Sequence, residues 1–313
     1  MFHQVLLKII AVIIVVFIAL IVSADGIITE LSATNLEIIS KIRLPRVITA
    51  LVCGGSLALA GVLLQALLRN PLADPYVLGV SGGGSVSALL VMLLGLAGIW
   101  VLIGTFVGSL LSLVLIYWMA KSPKLPSSFS FRLILSGIIL ASLWAALVNL
   151  ILLISPSAKL PGMIFWLLGD LNSLLIPWLA IVILGFSTIV CLLLSKSINL
   201  LLFNELMAQS LGLSLVWTQW IALIISSLLI ASVVSIAGNI GFVGLVVPHL
   251  IRMLGKRTHQ QLIPNAILFG AILLVVADWL SRVVVAPLII PVGIITTIIG
   301  APLFIYLLRK THG

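Results

Sequence analysis

Charge is what this chain has least of. Of its 313 residues only 7% are Asp, Glu, Lys or Arg, while 63% are hydrophobic and the mean hydropathy is +1.42. A soluble domain carries roughly 25% charged residues, so a water-facing surface of ordinary extent is excluded and the chain reads as a polytopic membrane protein. Its two cysteines, Cys53 and Cys191, lie in apolar runs, which leaves neither a disulfide framework nor a zinc site. There is no His-Glu-x-x-His, and the one Gly-Lys pair, Gly255-Lys256, lacks the upstream glycine of a phosphate loop. No catalytic residue, cofactor or metal ligand is therefore expected, and the chain does not read as an enzyme. The span centres between 47 and 240 hold almost no ionisable group, with Gln65, Asn149 and Gln219 the main polar exceptions besides hydroxyls. Ion-coupled carriers place acids or histidines inside the bilayer, so a stand-alone secondary transporter or channel is the second reading.

What is present is length in apolar runs. They fall at 5–22, 47–66, 77–96, 99–119 and 133–154, then at 173–195, 214–236, 241–255, 266–286 and 291–308. A spanning helix needs about 20 such residues, so the expected fold is all-α, with about ten transmembrane helices in one permease domain over 1–313. The run at 241–255 is short for a complete crossing. Val22-Ser-Ala-Asp25 is a poor cleavage site, so the first run is expected to stay as a span. An even count places both termini on one side. With that side cytoplasmic, the inner ends hold Lys8, Arg69, Lys121, Lys124, Arg132, Lys196, Arg252, Lys256, Arg257, Arg309 and Lys310. Only Lys41, Arg43, Arg46, Lys159 and Arg282 remain outside, as basic residues favour the cytoplasmic loops. The net charge of +9 is thus a matter of topology and calls for no nucleic-acid partner. Halves 1–160 and 161–313, five spans each and opposite in orientation, suggest inverted pseudo-repeats.

Four stretches carry candidate function. Asn70-Pro-Leu-Ala-Asp-Pro75 is a polar hexapeptide between two apolar runs. Asn70 and Asp74 each precede proline, which biases both away from the helix, so Asn70, Pro71, Leu72, Ala73 and Asp74 are expected to form a fixed inner turn, capped by the Asn and Asp side chains. It is a candidate gate. Leu78-Gly-Val-Ser-Gly82 and Gly83-Gly84 follow, read either as close packing or as a small-residue wall on a passage, with Gly79, Ser81 and Gly82 on the path. Arg43, Arg46 and Arg282 form an outer basic group against the charge bias, suited to capturing carboxylates of a soluble partner; a local pair of Arg282 with Asp278 is the plainer alternative. The loop from Asn204 and Glu205 through Ala208 and Leu211 to Gly212 reads as an amphipathic helix stopped by glycine, either interfacial or docking a cytoplasmic subunit. Pro248 is expected to bend or end a helix in Gly241–Arg252, with His249 as a structural hydrogen-bonder.

Taken together, Arg43-Leu-Pro-Arg46, Gly61-x-x-x-Gln65, Asn70–Pro75, Leu78-Gly-Val-Ser81, Gly241-Phe-Val-Gly-Leu-x-x-Pro-His249, Pro291-Val-Gly293 and Gly300-Ala-Pro302 resemble the iron-siderophore, haem and vitamin B12 permease family of ABC importers. The resemblance covers nearly the whole chain. It implies a permease subunit in a bacterial cytoplasmic membrane, paired with a second copy or a close paralogue. Two cytoplasmic ATPase subunits would sit beneath it and a substrate-binding protein above. It also implies that Arg43, Arg46 and Arg282 meet the binding protein and that 204–212 meets the ATPase. Through Arg132-Leu-Ile-Leu-Ser-Gly137, it implies that Ser130 and Phe131 stand at a cytoplasmic gate.

Overall fold

The computed structural model describes residues 2–23, 26–27, 32–121, 129–172, 176–202, 214–255 and 258–311. Its axle is α3 (Leu44–Leu67), entered without a break from the short α2 (Ala33–Ile38) through a π-helical turn at Ile39–Arg43. Small residues make an axle possible here. Gly54 lies against Gly270 so closely that a Cβ on either would strike the other's carbonyl, which lets α3 and α12 (His259–Val283) touch along their backbones. Around this pair pack α10 (Leu215–Ala237) and α11 (Val243–Met253).

The remaining elements surround that core. α1 (Phe2–Ile21) ends in a two-residue antiparallel ladder, Val22–Ser23 with Gly26–Ile27. α4 (Val80–Leu93) lies along α5 (Ile99–Ala120). Gly83 faces Gly108 and Ser112, and Gly84 faces Ser109 and Thr105, so the small-residue run is a packing seam on α5. Then come α6 (Phe129–Ile154), α7 (Leu160–Leu167), α8 (Trp178–Leu193), α9 (Ser195–Leu200) and α13 (Val292–Thr311).

Each of the ten expected apolar runs carries a helix. Among the described residues, five helical stretches are long and apolar enough to cross a membrane, ending at Leu67, Ala120, Ile154, Ala237 and Val283; α1 and α13 run 20 residues each, and α4, α8 and α11 are shorter. The shortest is α11. Its 11 residues rise about 16 Å, roughly half of a 30 Å hydrocarbon core, so it cannot cross alone. It starts after Gly238 and Phe242, both in left-handed backbone. Pro248 neither ends nor breaks it.

Candidate functional site

At the Leu67 end of α3 the chain reverses in the proline-locked turn. Arg69 takes a positive φ of 50° to leave the helix. The Asn70 side-chain oxygen accepts from the Leu72 N–H at 2.9 Å, and that of Asp74 from the Tyr76 N–H at 2.7 Å. Pro75 opens a 3-10 turn, Pro75–Leu78, and Gly79, at φ 73°, starts α4. The two capping side chains sit where the sequence puts them. Burial pushes the Asp74 carboxyl, in this turn between helices, up to about 6. Leu72 is 43% exposed and Ala73 only 4%.

This turn is tied to its neighbours by backbone acceptors. Ser130 Oγ donates to the Leu67 carbonyl at 2.8 Å, Ser112 Oγ to the Gly79 carbonyl at 2.8 Å, and Trp144 Nε1 to Ser112 Oγ at 2.9 Å. Gly79 and Gly82 lie against α6, where a Cβ on Gly82 would meet the Trp144 side chain at 2.7 Å. Ser81 is buried, whereas Phe131 is 54% exposed.

The second break in the structure, Gly238–Phe242 before α11, meets the first. The Tyr76 hydroxyl accepts from the Ile240 N–H at 2.6 Å, Asn239 Nδ2 donates to Ser85 Oγ at 3.0 Å, and Pro75 seats on Gly244. Gly61 of α3 approaches the Gly244 carbonyl so closely that only glycine fits. Pro248, without an N–H, cannot serve the carbonyl four residues back, that of Gly244. Gln65 does so: its Nε2 lies 3.5 Å from the Gly244 oxygen and 3.2 Å from the Leu245 oxygen, while its Oε1 accepts from Arg252 Nη1. The spacing Gly61-x-x-x-Gln65 thus places one close contact and one surrogate donor on the same face of α3.

At the other end of α3 two of the three arginines meet on one acid and the third turns to α1. Arg46 Nε binds Asp278 Oδ1 at 2.7 Å and Arg282 Nε lies 3.2 Å from Asp278 Oδ2. Arg43 donates to the carbonyls of Leu20 and Ile21, and Arg282 to that of Ala19, closing the last turn of α1. The side chains of Arg46 and Arg282 are 6% and 9% exposed. In the nearby loop, burial raises the Asp170 carboxyl and the positive field of Arg46 opposes it. The local Arg282–Asp278 pair is present; the Arg46–Asp278 pair, across 232 residues, is one that sequence spacing could not suggest.

Of the five long apolar stretches, α6 is the least covered. Only 17% of the apolar window of α6 is buried, against 89% for the stretch that includes α3. Its buried side carries Leu133, Gly137, Leu140 and Ile151. The opposite side exposes Phe131, Leu135, Ile138, Ser142, Ala145 and Asn149, spaced three and four apart along one stripe. Asn204, Glu205, Ala208, Leu211 and Gly212, expected to couple to an ATPase, lie outside the described residues. His249, among the described residues, leaves Nε2 without a hydrogen bond and sets its ring edge-on to Phe304.

A ten-run helical chain with two polar breaks braced on a glycine-rich axle invites comparison, and the sequence matches the FecCD transport family over residues 5–310. The chain belongs to that family. It is similar to the molybdate import system permease protein MolB of Haemophilus influenzae, 37% identical over 90% of this chain and 83% of that one. It is also similar to the vitamin B12 import system permease protein BtuC of Citrobacter koseri, 35% identical over 87% and 83%. A solved structure described as a metal-chelate type ABC transporter in an inward-facing conformation superposes with a TM-score of 0.90, at 33% identity over 99% of this chain and 100% of that one. The FecCD-type chain is therefore a multi-pass permease of an ABC importer, and no enzyme.

Proposed function

We propose that the chain forms half of the passage of an importer for a metal chelate of the iron-siderophore, haem or cobalamin class. It pairs with a second copy or a close paralogue in a bacterial cytoplasmic membrane, both termini inside. Two separate ATPase subunits hydrolyse ATP beneath it, and a substrate-binding protein delivers cargo from above. The observation that carries this reading is Asn149. It sits with Ser142 on the exposed stripe of α6, whose other members are apolar, and a polar amide facing hydrocarbon is costly, so the stripe faces a polar passage shared with the second subunit. Phe131, Ser130 and the turn Asn70–Asp74 lie at the cytoplasmic end of that passage as its gate, with Gly79, Ser81 and Gly82 packed behind it.

The binding protein docks over the face where Arg43, Arg46 and Arg282 gather. Since Arg46 and Arg282 are nearly buried, they shape the face and its positive potential, while reach to an acidic partner falls to its more exposed neighbours. Residues 204–212 take the stroke of the ATPase. The chelate class is supported by the likeness to the metal-chelate type transporter and to BtuC; the likeness to MolB favours an oxyanion as the second reading. The test is a cysteine at Asn149 in the assembled importer, against a background in which Cys53 and Cys191 are both buried. A passage-facing residue reacts with a membrane-impermeant thiol reagent and is protected by transported cargo. Reaction that is absent in every nucleotide state overturns the reading, and the ligand retained by the partner binding protein separates chelate from oxyanion.

A further inference from the structure

We propose that Tyr76 and Gln65 are positioning residues that make the inner turn and α11 move as one body, so that a displacement of α11 is passed directly to the gate. This rests on the proposed reading of the chain as an ATP-driven importer. Two links join the two pieces directly, and a third ties α11 to Gln65 of α3, whose carbonyl accepts from the Asn70 N–H of the turn at 3.2 Å. Tyr76 is fixed to the turn because Asp74 caps its N–H at 2.7 Å, and its hydroxyl reaches across to the Ile240 N–H at 2.6 Å. Pro75 is seated on Gly244 with no room for a side chain between them. From α3, Gln65 holds the successive Gly244 and Leu245 carbonyls and takes the Arg252 guanidinium at its other end.

The geometry of α11 makes it a lever. It spans only 11 residues, its start lies at the break shared with Tyr76, and its far end, Arg252 and Met253, lies at the basic end of the chain's cytoplasmic side. A helix that crossed fully would be held by lipid at both interfaces. This one is held by protein at its start and ends at the basic Arg252 turn. Gln65 reads both ends of the lever at once, bonding its first turn and its last. Packed elements of this kind shift between discrete arrangements rather than deform continuously, so links of fixed length carry the shift.

Tyr76→Phe deletes the acceptor for Ile240 and keeps the ring. In the importer reconstituted in liposomes, we expect ATP hydrolysis within about twofold of wild type and cargo moved per ATP down at least fivefold. The cross-link between Leu72→Cys residues, otherwise nucleotide-dependent, should become indifferent to nucleotide. Gln65→Glu keeps a partner for Arg252 but loses both donated bonds, and should uncouple in the same way. Melting temperatures of both variants are read in parallel, because a mere brace would lower stability and leave the transport-to-ATP ratio unchanged. An unchanged ratio with preserved nucleotide dependence of the cross-link overturns the inference, whichever variant folds. A wild-type assembly that shows no ATP-dependent uptake overturns instead the reading on which it rests.

Discussion

Replacing Asp278 by Asn removes the charge on which Arg46 and Arg282 converge while keeping the side chain's shape. Both guanidiniums are then buried, at 6% and 9% exposure, facing each other across an uncharged amide. Taking one partner from a buried ion pair costs about 3–5 kcal/mol, because the other charge stays desolvated and unpaired. At roughly 2–4 °C per kcal/mol for a chain approaching this size, the melting temperature of the detergent-purified protein should fall by roughly 6 °C or more. Arg46→Met in the same background should recover part of the loss, since one of the two stranded charges goes with it. Glu37 and Lys41 supply an internal control: their pair, 2.5 Å apart, is 61% and 71% exposed. Exposed pairs contribute about 0.2–1 kcal/mol, so Lys41→Met should scarcely move the transition. The contrast should persist in high salt, which screens exposed pairs and leaves buried ones. If Asp278→Asn melts like Lys41→Met, the arginine cluster is solvated and the structural account of it is wrong.

Gly61→Ala pushes a methyl group into the Gly244 carbonyl and should cost stability in the range of core overpacking, about 1–3 kcal/mol, read as a lower melting temperature and reduced assembly. Asp74 binds its proton more tightly folded than unfolded, about 6 against 3.8, so its contribution favours the fold below about pH 4 and is lost as pH rises through 6; Asp74→Asn should flatten the melting temperature between pH 5 and 7.5. Cysteine at Leu72, 43% exposed, should cross-link between subunits in the closed state, whereas cysteine at the buried Ala73 should react slowly or not at all. Gly212→Val should leave folding intact and lower transport per ATP, the outcome that the proposed coupling role of 204–212 requires.

The spans were legible because about 20 apolar residues in a row admit few alternatives, and the inner turn because two prolines forbid a continuous helix. The Asn70 and Asp74 caps followed from the same dipeptides. Three things were not legible. Pro248 reads as a helix stop until α3 is seen to carry Gln65 opposite the carbonyl that Pro248 leaves without a donor. The run at 241–255 already read as too short to cross, but the start of α11 just after Phe242 depends on that residue adopting a left-handed backbone, φ 69°, which its residue type does not favour. The Arg46–Asp278 pair joins positions 232 residues apart, and no periodicity within one helix reports that. Gly82–Gly84 looked equally like a passage wall and a seam; the positions of α5 against Gly83 and Gly84 and of Trp144 in α6 against Gly82 show how closely each is packed.

The few basic residues answer a need that composition alone does not reveal. A helix leaves its last carbonyls without donors, and in a chain this apolar little water is at hand to serve them. Arg43 and Arg282 serve the end of α1, Lys159 Nζ reaches the Leu93 carbonyl at the end of α4, and Arg132 Nε the Ala120 carbonyl at the end of α5. Arg69 Nε does the same at Leu201, just past α9. A cation there also meets the negative end of the helix dipole. Of these helix-closing cations, Arg69 and Arg132 belong to the group expected to face the cytoplasm, whereas Arg43, Lys159 and Arg282 belong to the expected outer group, so closing helices is a role the basic residues share on either side. Neutral substitutions such as Arg132→Gln and Lys159→Met separate this role from orientation: topology, set by the sum over many loops, should hold, while the helix end beside each residue loosens. Faster amide exchange confined to the last turns of α5 and α4, with the termini still on the same side, is the expected pattern, and inverted topology with unchanged exchange would show that these cations act through the membrane field alone.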